Sequence, residues 1–525
     1  MNEFLYFARR CADDQLDVVS VLFQGLSRPT EGDVLFFEGN PWPTGRLRNA
    51  VAACQACLAA QGLARGDRVA VMLKNSPEHV ALIYALILSG IVWIPVNTRL
   101  KAEGLRYLVW HSKPDLIVAD VELAKMFDDT IRSECRIVQP LPCDGHPGGA
   151  ILQRIDSAPL DTLCVIYTSG TTGAPKGVQF THRMLRIATE AALMVADGRR
   201  GDRLFLWEPL CHVGGAQMLL APFLEDVQLH VYPGFSASRF WQQVVQSGAT
   251  QLHYLGGVLE ILLQQPREAI PPHALRIAWG GGLNPHSWNI VREAFGVEVR
   301  ECYGMTECSS FATLNAEGRP GSIGKPLPWI DIELVDAEGQ PVAAGVHGEM
   351  VLSSRVPSAF LSGYLDNPDA TAQAVRGGKL HTGDYAWKDA AGYYYFVGRR
   401  TDSMRVRGEN VSAWEVERVF AQHPSLAMTA AVGVTSDIGE QEILIYLQLA
   451  DGVLQDSASV TAELAGWAAE RLASFQVPRY YKFIERFELT PSERIRKHLL
   501  SRDIADAWDR RSMGSAPSSS LKILA

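Results

Sequence analysis

Between residues 66 and 97 the hydrophobic period of the chain changes twice, and no other feature narrows the fold as much. GDRVAVML (66–73) is a short apolar run of strand character. Asn75-Ser76-Pro77-Glu78 then reads as a helix start with proline in the first turn, HVALIYALILSG as a buried helix ended by Gly90, and IVWIPVN as a second strand. Strand, helix and strand in that order make a β-α-β unit, which implies parallel strands. Similar alternation recurs over 202–232 and 249–301, so most of the first 330 residues should be parallel sheet with helices on both faces. From 321 to 397 short alternating strands and turn signals such as Glu338-Gly339 and Ala391-Gly392 suggest a small antiparallel subdomain. After about Thr401 a compact α+β pattern begins and ends near Trp508, leaving a loosely held tail.

At 525 residues the chain is too long for one ordinary core. Its 47% hydrophobic and 20% charged residues can bury large cores, which excludes a disordered protein. A net charge of −9 with no long basic block argues against nucleic acid or an anionic membrane as the main partner. The opening MNEFLYFARRCADD breaks its apolar residues with charge, so no secretory signal is read there. No apolar stretch of about 18 residues could span a bilayer, and cytoplasmic residence is expected. The nine cysteines are scattered, as in a reduced protein. Cys54 and Cys57, in VAACQACLAA, read as one face of a helix, since no second pair stands at zinc-like spacing.

YTSGTTGAPKGV (167–178) comes directly after the apolar run 163–166. A loop rich in glycine and hydroxyls after a strand turns backbone N–H groups and side-chain hydroxyls toward one point, and Lys176 adds positive charge. That is the chemistry of a phosphate cradle. It is not the P-loop pattern, because Pro175 precedes Lys176 and Gly177 comes after it. An ordinary turn between strands is the plainer reading, and the clustering of three glycines, a lysine and hydroxyls counts against it.

Further segments accompany this loop along the chain: EPLCHVGG (208–215), AWGGGL (278–283), ECYGMTE (301–307), SGYLDNPDAT (362–371), LHTGDY (380–385) and GRRTDSMRVRGENVSAWEVE (398–417). In kind and order they resemble the adenylate-forming superfamily of acyl-CoA synthetases, peptide-synthetase adenylation domains and luciferases, and within it the AMP-forming acyl-CoA ligases of the carnitine/crotonobetaine-CoA ligase-like branch. The resemblance implies an α/β fold. A large N-terminal domain (1–401) would hold two doubly wound sheets plus a small β-barrel subdomain, with a small mobile α+β C-terminal domain (402–510) and a flexible tail (511–525) after it. It implies an enzyme that uses ATP and Mg2+ to activate a carboxylic acid as acyl-AMP, releasing pyrophosphate, and then passes the acyl group to the thiol of coenzyme A.

Each motif carries a role by this resemblance. Thr168, Ser169, Gly170, Thr171, Thr172, Gly173 and Lys176 match the phosphate loop. Thr306 matches the contact to the α-phosphate, and Glu307 the ligand of Mg2+. Tyr303 with Gly280, Gly281 and Gly282 matches the wall against adenine, where missing side chains let a flat base approach the backbone. Asp384 and Arg399 match the ribose contacts, a carboxylate being a natural double acceptor. Asp402 matches the hinge of the small domain, and Gly408 the glycine beside the thiol tunnel. Ser412 to Glu415 also reads as a capping box for the helix beyond it.

One segment departs from the pattern. Family members end on P-x-T-x-x-G-K-[IV]-x-[RK], whose lysine reaches the carboxylate and α-phosphate, whereas FELTPSERIRKHLL (487–500) places Glu493 at the glycine and Arg494 at the lysine. Arginine keeps the charge but is a planar fork rather than a compact ammonium. Three readings stand: Arg494 does the work, Lys497 substitutes for it, or adenylation is lost and the enzyme converts a supplied acyl-adenylate to the thioester.

The acyl pocket implied by the resemblance draws on Trp207, Cys211, His212, Gly214, Tyr254, Gly256, Gly257, Ser309 and Ser310, with His212 as a gate by its motif or else a packing residue. A small Cys211 facing glycines leaves room for a bulky alicyclic or aromatic acid. Trp207, Tyr254 and Trp279 could instead cage the quaternary ammonium of a carnitine-like acid. A carrier-loading enzyme would use the same residues, but no G-x-[DH]-S carrier domain is evident, which favours free CoA. A luciferase-like oxidase is selected by nothing in the chain. A non-catalytic AMP-binding regulator is the alternative that Arg494 leaves open, although such a protein would have no use for a thiol tunnel. The expected partners are therefore small molecules, with a homodimer left open.

Overall fold

The computed structural model describes residues 17–28, 32–100, 102–140, 151–168, 175–266, 270–399, 403–406, 409–435, 441–453, 457–472, 474–489 and 495–512. The chain divides into two compact units, Met1–Ile332 with Val351–His381, and Glu333–Met350 with Thr382–Ala525.

The first unit is built on two sheets. One has six strands in the order Arg136–Val138, Leu116–Ala119, Arg68–Met72, Val92–Pro95, Thr162–Thr168 and Lys176–Thr181. All neighbours run parallel except the last pair. The expected β-α-β unit is there: Ser76 caps the helix Pro77–Ser89 by accepting from the His79 N–H at 3.2 Å, and Gly90 ends it with φ of 64°. That left-handed conformation suits a residue without Cβ. From His79 to Leu88 every residue of this helix is buried, which its apolar run on all sides requires.

The second sheet has seven strands: Glu298–Glu301, Ile277–Gly281, Gln251–Leu255, Arg203–Leu206, Gln228–Val231, Leu35–Phe37 and Asn40–Trp42. Again only the edge hairpin is antiparallel. Asn75, buried just beyond Arg68–Met72, joins the carboxyl ends of strands from the two sheets. Its amide donates to the Glu208 carbonyl at 2.7 Å and the Tyr232 carbonyl at 3.2 Å, and its oxygen accepts from the Leu210 N–H at 3.0 Å. Ligands of open α/β sheets gather at such carboxyl ends.

Cys54 and Cys57 lie on the helix Thr44–Ala60, as their spacing implied, with Cys54 buried. Antiparallel hairpins stand in the stretch where short alternating strands were expected, Val375–Arg376 against Lys379–Lys388 and the latter against Tyr394–Arg399.

The second unit carries the sheet Leu426–Thr435, Gln441–Leu449, Tyr480–Phe483 and Trp508–Asp509, with the helices Ala413–Phe420 and Ser457–Arg471. Its last strand is held by ion pairs, Arg479 to Asp509 at 3.0 Å and Arg511 to Glu442 at 2.6 Å. No described helix is long and apolar enough to cross a membrane.

Candidate active site

The phosphate-loop candidate joins two antiparallel strands. Thr168 stands opposite Lys176 and Tyr167 opposite Gly177, so the loop is the tip of a hairpin in the first sheet. A P-loop runs from strand to helix, whereas this loop returns into a strand. Ser169, Gly170, Thr171, Thr172 and Gly173 lie outside the described residues.

Lys176 and Glu307 meet through Tyr364, whose part in the site no motif announced. The Lys176 Nζ sits 5.1 Å from the ring centre of Tyr364, and the Tyr364 hydroxyl donates to Glu307 Oε1 at 2.9 Å. Glu307 and Tyr364 are 5% and 7% exposed, so the hydrogen bond is shielded from water and strong for its type. The backbone fixes all three. Leu365 N–H donates to the Gly177 carbonyl at 2.8 Å, Gln179 N–H to the Gly363 carbonyl at 3.0 Å, and Leu361 N–H to the Glu307 carbonyl at 2.8 Å. Thr306 begins the 3-10 turn Thr306–Cys308 that carries Glu307. The segment 362–371 was legible as a motif, but the contact of its tyrosine was not.

A second cluster surrounds the glycines at the end of Ile277–Gly281. Glu301 is buried, and its Oε1 accepts from the Gly282 N–H at 2.5 Å and the Leu283 N–H at 3.2 Å, while Tyr254 donates its hydroxyl to Oε2 at 2.6 Å. Burial pushes the Glu301 carboxyl up to about 7, against the pull of these three donors. Tyr254 is buried and its hydroxyl is taken by Glu301, which also holds the Gly282 and Leu283 N–H groups just past the strand Ile277–Gly281. Gly280 and Gly256 are required by packing: a Cβ at Gly280 would stand 1.9 Å from the Tyr254 carbonyl oxygen, and one at Gly256 1.8 Å from that of Gly282. Position 256 therefore admits only glycine, whereas a Cβ at Gly257 would meet nothing within 4 Å. Tyr303 is buried, its N–H donating to Thr313 Oγ1 at 2.9 Å.

The remaining acyl-pocket candidates sit in a polar setting that their motifs did not announce. Trp207 is buried and its indole N–H donates to the His253 carbonyl at 2.9 Å. The His253 imidazole pairs with the buried Glu208 carboxylate, and Trp279 packs on it with ring centres 4.2 Å apart. A Cβ at Gly214 would reach 2.8 Å from Glu208 Oε1, so this glycine accommodates the carboxylate. Burial pushes the Cys211 thiol up to about 12, so it stays protonated near neutral pH. His212 Nε2 lies 2.9 Å from Asn97 Nδ2. Since the Asn97 oxygen already accepts from the Arg99 N–H at 2.9 Å, the amide nitrogen donates and Nε2 accepts, leaving the His212 proton on Nδ1. The Ser309 hydroxyl donates to the Ala359 carbonyl and that of Ser310 to Gln217 Oε1, both at 2.5 Å, so both hydroxyls already have acceptors in the fold.

In the second unit, Asp384 is buried on Lys379–Lys388 and stands in register with Arg399 on the neighbouring strand. Its N–H donates to Thr382 Oγ1 at 3.1 Å, and the Gly383 N–H to Glu349 Oε1 at 3.1 Å. Lys497 forms a partly buried ion pair with Glu417 at 2.7 Å, and the same Glu417 oxygen accepts from the Ala431 N–H at 2.6 Å. Its ammonium is thus a brace between a 3-10 turn and the helix Ala413–Phe420. Asp402, Gly408 and Arg494 lie outside the described residues.

The donor set fits a nucleotide with its magnesium ion. Mg2+ prefers one or two carboxylates together with substrate phosphate oxygens, and Glu307 is a single buried carboxylate near a lysine. Among the described residues no group of three or more histidine, cysteine, aspartate or glutamate side chains could hold a metal by itself.

Comparison with known proteins agrees with this chemistry. The profile of the AMP-binding enzyme family matches residues 27–365, and that of the AMP-binding enzyme C-terminal domain matches 415–494. The chain is 29% identical over 495 residues to the sulfoacetate–CoA ligase of Cupriavidus necator, covering 90% of this chain and 93% of that protein. It is 30% identical over 449 residues to the crotonobetaine/carnitine–CoA ligase of Salmonella enteritidis, covering 80% and 85%. Its fold matches that of the Bacillus subtilis o-succinylbenzoate coenzyme A synthetase solved with ATP and a magnesium ion, with a TM-score of 0.81, 24% identity and coverage of 91% and 98%.

Proposed function

The chain belongs to the AMP-binding enzyme family, and from that premise we propose that it is an ATP-dependent, AMP-forming acyl-CoA ligase. In the first half-reaction an oxygen of the substrate carboxylate bonds to the α-phosphorus of ATP and pyrophosphate departs. In the second the CoA thiol, losing its proton, bonds to the acyl carbon and AMP departs. The observation that carries this reading is the chain from Lys176 through Tyr364 to Glu307, which sets a cation and a buried carboxylate beside one loop.

Lys176 and the loop residues 168–173 bind and orient the pyrophosphate portion. Glu307 holds Mg2+, which when bound neutralises phosphate charge. Thr306 donates to the α-phosphate, the Gly280–Gly282 turn and Tyr303 receive adenine, and Asp384 with Arg399 takes the ribose. Asp402 is the hinge of a domain 402–510, and Gly408 leaves space for the pantetheine arm. Arg494 takes the place of the usual lysine, because Lys497 is engaged by Glu417. His212, with its acceptor nitrogen held by Asn97, is the gate between acyl group and thiol. The acid is bulky, alicyclic, aromatic or carnitine-like, with Cys211 and Gly257 supplying the room. The enzyme works in the cytoplasm.

A second reading is favoured by Arg494 itself: an enzyme that no longer adenylates and only converts a supplied acyl-adenylate to the thioester. The purified protein is tested with a panel of such acids, ATP, Mg2+ and CoA, with pyrophosphate, AMP and thioester all measured. Release of all three supports the ligase, while thioester only from synthetic acyl-adenylates supports the second reading.

A further inference from the structure

The helix Ala102–Ser112 touches both flanks of the phosphate loop. On one side the Tyr107 hydroxyl donates to the Pro175 carbonyl at 2.9 Å, directly before Lys176. On the other, His111 Nδ1 lies 2.7 Å from the Tyr167 hydroxyl, directly before Thr168. Tyr107 and His111 are four residues apart on one helical face, their rings stacked at 5.4 Å and 25°. The Tyr167 ring meets both edge-on, at 6.5 Å and 86° to Tyr107 and at 5.7 Å and 81° to His111.

This helix is itself a fixed base. Leu105, Leu108 and Val109 are buried in the cluster that contains Val165, and Tyr167 packs against its edge. The Arg68 guanidinium donates to the Ser112 carbonyl at 2.9 Å, which ties the helix end to the central strand.

A cradle made of backbone donors and one lysine acts on a triphosphate only as well as its two ends are held, since catalysis by positioning is lost with small displacements. We propose that Tyr107 and His111 are positioning residues for ATP, bracing Tyr167 and Pro175 so that Lys176 and the loop donors meet the leaving pyrophosphate. This inference rests on the phosphate-loop reading of 167–178. Neither side chain touches the nucleotide, and both act through the loop ends.

The test uses the two half-reactions of the full chain. An acyl-adenylate carries no pyrophosphate, so thioester formation from it should not depend on the brace. Tyr107→Phe keeps the ring and deletes the donor, and His111→Ala deletes the imidazole. Each should raise the KM for ATP about five- to tenfold, the effect of one net hydrogen bond, with the step from acyl-adenylate within about twofold of wild type. His111→Asn, whose amide nitrogen can stand near the Nδ1 position, should recover most of the loss. Lys176→Ala is the reference. If it raises the KM for ATP and the brace variants do not, the inference fails. An equal fall of both half-reactions in the brace variants would also overturn it, as a general structural role. If Lys176→Ala leaves ATP use unchanged, the loop reading fails and the inference falls with it.

Discussion

Tyr364→Phe removes one oxygen from the chain that links Lys176 to Glu307. The ring stays, so the Lys176 contact at 5.1 Å is retained, and what is lost is the 2.9 Å hydrogen bond to Glu307 Oε1. Both partners are less than a tenth exposed, so water does not easily replace the donor. A hydrogen bond to a charged group contributes about 1.5–3 kcal/mol, which at about 1.4 kcal/mol per decade is roughly a 10- to 150-fold effect. If Glu307 holds the magnesium ion during adenylation, that loss falls on pyrophosphate release. The kcat/KM for ATP should drop by at least about tenfold, the Mg2+ concentration for half-maximal rate should rise, and thioester formation from acyl-adenylate should change little. Pyrophosphate release measured across a Mg2+ series decides it. A folded Tyr364→Phe enzyme with wild-type kcat/KM and wild-type Mg2+ dependence would refute the assignment of Glu307.

Three further outcomes are expected. The Glu301 carboxyl, raised by burial to about 7 from an ordinary 4.5, holds a proton in the native state that the unfolded chain has lost between those values. Its contribution to stability is therefore full below 4.5 and is lost as pH rises through about 7, with a ceiling of about 3 kcal/mol. Glu301→Gln, a neutral acceptor for the Gly282 and Leu283 N–H groups, should flatten the fall in thermal midpoint over that window; an unchanged slope would assign it elsewhere. Gly280→Ala drives a Cβ to 1.9 Å from the Tyr254 carbonyl oxygen and should cost about 1–3 kcal/mol or more, whereas Gly257→Ala enters open space and should stay within about 0.5 kcal/mol, as thermal unfolding of the pair will report. Lys497→Met breaks the ion pair with Glu417, partly buried at 23% and 17% exposure, and should cost about 1 kcal/mol of stability with adenylation within about threefold. Arg494→Ala should lose about 100-fold or more in pyrophosphate release; the opposite ranking would make Lys497 the active cation.

The parts of the fold that local physics dictates were legible. The helix start at Asn75-Ser76-Pro77-Glu78, with Pro77 in the first turn, and the stop at Gly90 are decided by neighbouring residues, and the helix between them forms as its apolar run implies. The edge strand Lys176–Thr181 was implied only by the plainer reading of 167–178 as a turn between strands, because nothing local distinguishes an antiparallel return after the loop from the start of a helix. In the site, the residue types at Lys176 and Glu307 were plain, yet Tyr364 was not, since its contact to Glu307 spans 57 positions. Glu301 stood inside a quoted motif without a role, because its function depends on Tyr254, 47 positions away. The glycines divide in the same way. Gly256 and Gly257 are adjacent and chemically identical, and only the approach of the Gly282 backbone makes one a packing requirement and the other open space.

If one active site performs both half-reactions, the purified chain should catalyse ATP–pyrophosphate exchange that depends on Mg2+ and on a carboxylic acid from the bulky panel. That exchange is measured beside thioester formation from the matching acyl-adenylate. Acid-dependent exchange, abolished by Lys176→Ala and Glu307→Gln, together with thioester from both supplies, is the predicted result. Thioester from the acyl-adenylate with no exchange for any acid in the panel would contradict it.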